Sequence, residues 1–504
     1  MYTYRVLWLA IVAAVWLALS PVAHAQGAAR EYTGYQVMNL ATCSGCDAHV
    51  RVDYYGPSGG APVKTQNVTI APGASANVQQ KTETDLPAGV YSAVLSSDQP
   101  IAAVVGQIES DPSTSALVYQ APFSDYTGIS LGSTTVSLPS MEVNWYGIDS
   151  LARIQNVGDS PATVTIQYKA ASIGGALAGN PSIQAKTYTI PKYAAMTLDP
   201  TQDAGSLVAR TGSFQNRFFG SAVVTSDQPL AAIANETDIT KRMKFTYNGF
   251  GDADSGTELL APAVFWNWYG TFTSLAVANP TSSTCSATIT YTAGANSKLI
   301  GGADGAGQTK PVTFSLAPGE SRTAYEGAAN QSDLADKFQI FNGAARITSS
   351  CKLVAKVNQT QSRANADGQL PSGSYNAVPV AALTTTVAAP LIQANWYGYF
   401  TSLQCANADT ATPASIRIEY RAADSNEVRT VHHMIPAGGS VTMYEGQCLG
   451  EIFSDLACQP DVHFNGSAII TSEGRQKIAC TVNEVGPVHN GDNMSTYNGI
   501  NIAP

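Results

Sequence analysis

The residues best suited to chemistry in this 504-residue chain are its eight cysteines, whose spacing favours disulfide bonds. Cys43 and Cys46 form a CSGC motif, which a thioredoxin-like redox site would place in a strand–helix context. No helical pattern follows the motif. Adding His49 gives a Cys-x2-Cys-x2-His cluster that lacks a fourth metal ligand nearby. The sequence therefore predicts a local disulfide, with a metal site as the weaker alternative.

The remaining cysteines are predicted to pair within single sequence repeats, so that each repeat is able to fold alone. Cys405 and Cys480 occupy positions at which another repeat carries Ile154 and Ala232, and a third repeat carries small or apolar residues as well. Such positions are typical of two neighbouring core strands, so their partners in the other repeats should also lie close together. The predicted pairs are Cys285–Cys351, Cys405–Cys480 and Cys448–Cys458.

Catalytic groups are sparse, and we expect a protein that is not an enzyme. No histidine lies between His49 and His432, so the two middle repeats lack a histidine general base or nucleophile activator. The chain contains no G-x-S-x-G, P-loop or HExxH motif. Cofactors are therefore not expected.

One glycine-rich segment, GDADSG, presents two carboxylates that suit a hard cation. Asp252 and Asp254 alternate in this segment and are weak candidates for calcium binding. The closing glutamate of an EF-hand loop is missing. Aspartates that shape a turn are the alternative interpretation.

Aromatic residues recur in an NWYG motif at 144–147, 267–270 and 395–398. Strand alternation places Trp145 on the same face as Met141 and Val143, which predicts a buried tryptophan. An exposed aromatic platform for a ligand remains the alternative. The tyrosines of the motif point the other way and are possible ligand-binding aromatics: Tyr146, Tyr269 and Tyr397.

The motif belongs to a unit that occurs four times, which marks an internal repeat. The order N…ATVTIQY…IP…FFGSAVVTSDQPLAA in the second unit has cognates in the others, and a tyrosine closes each unit at Tyr119, Tyr247, Tyr375 and Tyr497. About seven short strands per unit, joined by regular turns, indicate a β-sandwich. The pattern resembles the tandem immunoglobulin-like modules of bacterial secreted and surface proteins.

This resemblance implies an all-β chain, a tandem array of four immunoglobulin-like β-sandwich domains after a signal peptide. Its predicted segments are a signal peptide at 1–25, units at 26–121, 139–250, 262–378 and 390–504, and linkers at 122–138, 251–261 and 379–389. The leader is predicted because Arg5 precedes a short apolar run that ends in Ala-His-Ala at 23–25. We expect a secreted protein, extracellular or at the cell surface, whose mature chain does not span a membrane.

Charge and composition narrow the function further. Only 13% of residues are charged and the net charge is −10, which argues against nucleic acid as a partner. We expect a structural or adhesive protein of the cell envelope, or a carbohydrate- or matrix-binding protein that uses the NWYG aromatics. Partners are other envelope proteins, glycans or further copies of the chain, bound head to tail. The units are expected to form an extended, stiff row. The first unit lacks NWYG, which indicates either a partly open sheet edge or an ordinary terminal cap with a different start.

Overall fold

The computed structural model describes residues 8–12, 30–80, 86–110, 123–173, 175–238, 240, 243–362, 370–396, 398–423, 428–444, 463–486 and 494–502. The protein is all-β, as its alternating sequence predicts: β-strand Cys285–Ala293 alternates between buried and less buried residues along its whole length. Within the described residues, no helix has the length and apolar composition needed to cross a membrane.

The strands fall into four consecutive groups, here called units 1 to 4. A single strand, β1 (Trp8–Val12), precedes them. Unit 1 contains β2 (Arg30–Asn39), β3 (Ala48–Tyr55), β4 (Lys64–Ile70), β5 (Ser75–Gln79), β6 (Tyr91–Ser96), β7 (Ile101–Ser110) and β8 (Phe123–Thr127). Unit 2 contains β9 (Ser133–Val143), β10 (Ile148–Asn156), β11 (Ala162–Ala170), β12 (Ser172–Ile173), β13 (Ala176–Leu177), β14 (Lys186–Ile190), β15 (Ala195–Leu198), β16 (Phe218–Asp238) and β17 (Met243–Asn248).

Unit 3 contains β18 (Gly256–Trp266), β19 (Thr271–Ala278), β20 (Cys285–Ala293), β21 (Lys298–Leu299), β22 (Thr309–Leu316), β23 (Ser321–Tyr325), β24 (Phe338–Gln361), β25 (Ser372–Asn376) and β26 (Val378–Pro379). Unit 4 contains β27 (Thr386–Ala394), β28 (Phe400–Asn407), β29 (Ala414–Ala422), β30 (Val428–Ile435), β31 (Ser440–Tyr444), β32 (Phe464–Ser472), β33 (Ile478–Val485), β34 (Met494–Asn498) and β35 (Ile500–Asn501). The described helices are short: α1 (Ala204–Leu207) and 3-10 turns at Pro200–Asp203, Asp252–Asp254 and Val380–Ala382.

Units 1 and 4 are sandwiches of two separate sheets, whereas in units 2 and 3 one long strand, β16 or β24, pairs in both layers and joins them. Unit 4 shows the arrangement most simply. One sheet has the strand order β30-β29-β32-β27-β35, and the other has the order β31-β28-β33-β34. Consecutive strands β32 and β33 therefore lie in opposite sheets. In the immunoglobulin order the corresponding two strands are neighbours in one sheet, so this unit shares the sandwich architecture and differs in strand order.

The first strand of units 2, 3 and 4 contains a bulge at its proline. The register of the first strand shifts across Pro139, Pro262 and Pro390, because proline has no N–H for the ladder. The closing tyrosine of the same unit stabilises this bulge. In unit 3 the Tyr375 hydroxyl donates to the Ala263 carbonyl at 2.7 Å and accepts the Ala263 N–H at 3.0 Å.

In unit 1 the closing tyrosine is Tyr126, and the predicted Tyr119 lies outside the described residues. Tyr126 lies on β8 and is 2% exposed. The predicted linkers also contain strands: β8 and the start of β9 lie within 122–138, β18 begins within 251–261, and β27 begins within 379–389. The units therefore follow one another almost without spacers.

In units 2, 3 and 4 the asparagine that follows NWYG is buried, and its side-chain amide links two segments of the sandwich. Asn279 is 1% exposed, and its amide donates to the Ser283 carbonyl at 2.7 Å and the Leu316 carbonyl at 3.1 Å. Asn156 and Asn407 make equivalent pairs of bonds. The fixed spacing between NWYG and this asparagine is thus explained by the fold.

The four units close into a ring around the strands that carry their closing tyrosines, β8, β17, β25 and β34, which we call the inner strands. Each inner strand contacts the next one, and β34 of unit 4 contacts β8 of unit 1. A ladder of amides links them: Asn248 donates to the Thr127 carbonyl at 2.9 Å, and Asn376 to the Asn248 carbonyl at 2.8 Å. Asn498 donates to the Asn376 carbonyl at 2.6 Å.

The outer seams between units repeat the same contact, which shows that unit 4 meets unit 1 as other neighbours meet. The Ser221 hydroxyl of unit 2 donates to the Gly319 carbonyl of unit 3 at 2.6 Å. At the equivalent positions, Ser467 of unit 4 donates to the Gly73 carbonyl of unit 1 at 3.3 Å. The prediction of an extended, stiff row is therefore wrong, and the surfaces expected to join separate chains head to tail meet within one chain.

Candidate functional site

The NWYG motif forms a two-residue hairpin between the first and second strands of units 2, 3 and 4. Trp145 and Ile148 exchange both backbone hydrogen bonds, at 2.9 and 3.0 Å. Between them Tyr146 and Gly147 both have positive φ, 52° and 95°. Positive φ at both central residues defines a type I′ turn, whose twist matches that of the flanking strands.

A tyrosine is an unusual choice for this turn. The first central position normally takes asparagine, aspartate or glycine, because a side chain with a bulky ring is strained in the left-handed region. Tyr269 in unit 3 repeats the feature with φ 48°. Tyr146 and Tyr269 are 63% and 73% exposed, so their positions are not explained by core packing. Tyr397 lies outside the described residues.

In units 2 and 3 the tryptophan of the motif packs against the tyrosine that follows it. Trp145 is half-buried, stacks on Phe219 at 5.2 Å between ring centroids, and meets the edge of Tyr146 at 5.1 Å. In unit 3, Trp268 meets Tyr269 at 4.9 Å. Trp145 is half-buried rather than buried as predicted, because Asn144 adopts a left-handed φ of 48°, which ends the strand alternation one residue earlier.

The surroundings of the hairpins are aromatic, amide and cationic. The Arg217 guanidinium lies 4.6 Å from the centre of the Tyr146 ring. Beside the unit 3 hairpin lies a shallow groove that includes Trp266, Ile300 and Phe338 among its lining residues. Ile300 is 60% exposed there. These groups offer an amphipathic surface suited to contact with a ligand rather than to proton transfer.

The three cysteine pairs in the described residues are joined as predicted. The Cα atoms lie 5.5 Å apart for Cys43–Cys46, 5.6 Å for Cys285–Cys351 and 4.1 Å for Cys405–Cys480. The register prediction is also confirmed, because Ile154 lies opposite Ala232 and Val277 opposite Ala355. The sequence pattern predicts Cys405 on the first strand of its unit, but it lies on β28, the second strand. Cys448 and Cys458 lie outside the described residues.

The two aspartates proposed for calcium serve a local turn. The Asp254 carboxylate accepts the Gly251 N–H at 2.9 Å, and the Asp252 N–H contacts the Ser133 hydroxyl at 3.3 Å. Among the described residues, no three histidine, cysteine, aspartate or glutamate side chains lie together so that they could hold a metal ion.

Sequence reasoning missed the polar interior of the ring. The inner strands pair with β7, β16, β24 and β33. At one repeated position these four strands carry a buried glutamine or glutamate, at most 2% exposed: Gln107, Glu236, Gln359 and Glu484. The signal was available, because these residues interrupt apolar strands at equivalent places. Their partners come from neighbouring units and could not be identified from repeat spacing.

The seam between units 2 and 3 holds a buried ion pair. The Lys356 ammonium contacts the Glu236 carboxylate, and these side chains are 2% and 1% exposed. Asn358 donates to the second Glu236 oxygen at 2.7 Å. Burial, together with repulsion from Glu236, raises the pKa of nearby Glu142 to about 7.

The seam between units 4 and 1 holds two carboxyl groups instead. Ser495 of unit 4 donates to the Asp125 carboxylate of unit 1. Burial raises the pKa of Asp125 to about 7. Burial and then the negative charge of Asp125 raise the pKa of Glu484 well above its usual value. Because two buried negative charges would repel each other here, the pair of carboxyl groups favours retention of a proton.

No protein-family model matches the chain, and no curated protein is similar to it in sequence.

Proposed function

We propose that the protein is an exported, non-enzymatic adhesive protein of the cell envelope whose hairpin tyrosines contact glycans. The observation that carries the proposal is an exposed tyrosine at the strained position of the turn in two separate units. Strain held at equivalent surface positions points to a role that the fold itself does not require.

The arrangement of the hairpins supports multivalent contact. Units related by rotation about one axis carry equivalent positions at the same level along that axis. The hairpins of units 2 and 3 therefore present Tyr146 and Tyr269 toward the same end of the ring. A repetitive polymer would engage both at once and gain affinity from the second contact.

Replacement by asparagine provides a sharp test, because asparagine suits the turn and removes the ring. The double variant Tyr146→Asn/Tyr269→Asn is expected to stay folded with an unchanged or higher melting temperature. Co-sedimentation with insoluble peptidoglycan and with chitin then measures binding. We expect retention of the wild-type protein on at least one polymer and about tenfold weaker retention of the double variant.

Tyr325→Asn is the matched control, since Tyr325 is 44% exposed and lies on the strand β23 rather than in the turn. It should bind as the wild type does. Equal binding of the double variant and the control would contradict a role for the hairpins. Absence of binding to both polymers would contradict glycan recognition.

A further inference from the structure

Unit 1 differs from the other units in the source of its first strand. In units 2, 3 and 4 the strand that contains the bulge proline pairs with one edge of the sheet, as β27 does with β32. Among the described residues of 30–127, no strand takes that place. The corresponding edge in unit 1 belongs to β6, which pairs with β3 on its other side.

In the full chain this edge is covered by β1, which lies in the predicted leader. The sheet order β4-β3-β6-β1 matches β30-β29-β32-β27 of unit 4. The register agrees with unit 2 as well. Trp8 pairs with Leu95 and Ala10 with Ala93, as Val136 and Leu138 pair with Val224 and Ala222 at the equivalent positions.

We infer that, once residues 1–25 are removed, the β6 edge of unit 1 is an acceptor for an extended strand from a different protein chain. An open edge displays unpaired N–H and C=O groups that template such pairing. Removal of the leader would uncover a strand that is otherwise buried: Ala93 is 0% exposed, Val94 7% and Leu95 1%.

The chemistry of the partner strand follows from β9, which occupies the same place in unit 2. Its residues Val136 and Leu138 are 2% and 0% exposed and pack into the unit 2 core. The partner strand should therefore run antiparallel to β6 and carry apolar residues at alternate positions. Within the described residues every strand is already paired on at least one side, so a second copy of this chain offers no wholly unpaired strand from that part.

A peptide with the sequence of residues 133–143 is the probe, and residues 26–504 are the acceptor. We expect it to bind with micromolar affinity or better and to slow hydrogen exchange of the Tyr91–Ser96 amides about tenfold. A control peptide with Val136→Lys and Leu138→Asp should not bind. The full chain should not bind either, because β1 covers the edge, and Ala10→Pro in the full chain should restore binding by breaking β1.

Two results would overturn the inference. One is that the Tyr91–Ser96 amides in residues 26–504 are protected without peptide as strongly as those of β16. The other is that the two peptides bind equally. The inference rests on export with removal of the leader, which belongs to the proposed function. N-terminal sequencing of the exported protein tests whether the leader is removed. The peptide experiment uses residues 26–504 and therefore tests the β6 edge independently of the sequencing result.

Discussion

The seam between units 2 and 3 and the seam between units 4 and 1 each hold a glutamate at the same repeated position, but its partner lies at a different position and has different chemistry. Glu236 meets Lys356 at the first seam, whereas Glu484 is coupled to Asp125 at the second. An ion pair satisfies a buried carboxylate at neutral pH, and a second carboxyl group does so only while a proton is retained. These two seams therefore need not be equally strong, and we expect the stability of the seam between units 4 and 1 to depend on pH.

The largest effect is expected from breaking the ion pair. Lys356→Met leaves Glu236 buried without a counter-charge and should lower the free energy of unfolding by about 3–5 kcal/mol. Urea titration at pH 7 measures this loss. Lys192→Met, which removes a partly exposed ammonium paired with exposed Asp159, should change it little. If Glu236→Gln added to Lys356→Met recovers none of the loss, the cost comes from packing rather than from the unpaired charge.

An effect of opposite sign is expected from replacing the two buried carboxyl groups at the seam between units 4 and 1 by neutral amides. The raised pKa values of Asp125 and Glu484 mean that the folded state binds their protons more tightly than the unfolded state does. The contribution of Asp125 to the free energy of unfolding therefore falls as pH rises from about 4 through about 7, and that of Glu484 falls in the same direction.

The variant Asp125→Asn/Glu484→Gln should accordingly exceed the wild type in the free energy of unfolding by about 1–3 kcal/mol at pH 8, and this advantage should shrink toward pH 5. Thermal and urea unfolding across this range measure the difference. Asp336→Asn, at an exposed surface pair, serves as control. An advantage that is the same at pH 5 and pH 8 would show that proton binding at this seam is not its cause.

The smallest effect concerns the outer contacts of the same two seams. Ser221→Ala removes the 2.6 Å bond to Gly319 and should cost about 0.5–1.5 kcal/mol, while Ser467→Ala removes a 3.3 Å bond to Gly73 and should cost less. Hydrogen exchange of β25 and β8 reports each seam separately. A larger loss for Ser467→Ala would reverse the ranking of the seams.

Sequence reasoning succeeded where equivalent positions in the repeats carry the information. The pairing of Cys405 with Cys480, and the matching register of Ile154 with Ala232, follow from alternation and repeat alignment because a ladder fixes which residues face each other. The repeat also identified the hairpin tyrosines, since Tyr146 and Tyr269 stand at one position of a common motif.

The ring, the orientation of Trp145 and the buried ion pair depend on contacts that the spacing of residues in the sequence does not encode. The ring follows from the rotation between successive units, which is set by bonds such as Asn376 to Asn248 across inner strands. Alternation failed at Trp145 because a single left-handed residue, Asn144, redirects the chain. The pairing of Lys356 with Glu236 joins different units, so only a structure relates them.

Because the four units form a closed ring, the weakest seam needs less interaction energy to stay closed than an interface between separate molecules would. Units 4 and 1 belong to one polypeptide that is already bent around through three other seams, so their meeting is unimolecular and its effective concentration is in the millimolar range or above. An interface too weak to assemble separate molecules still stays closed under this condition. The acid pair at Asp125 and Glu484 is therefore tolerable within the ring, and a pull on one unit would be shared between the two seams that flank it.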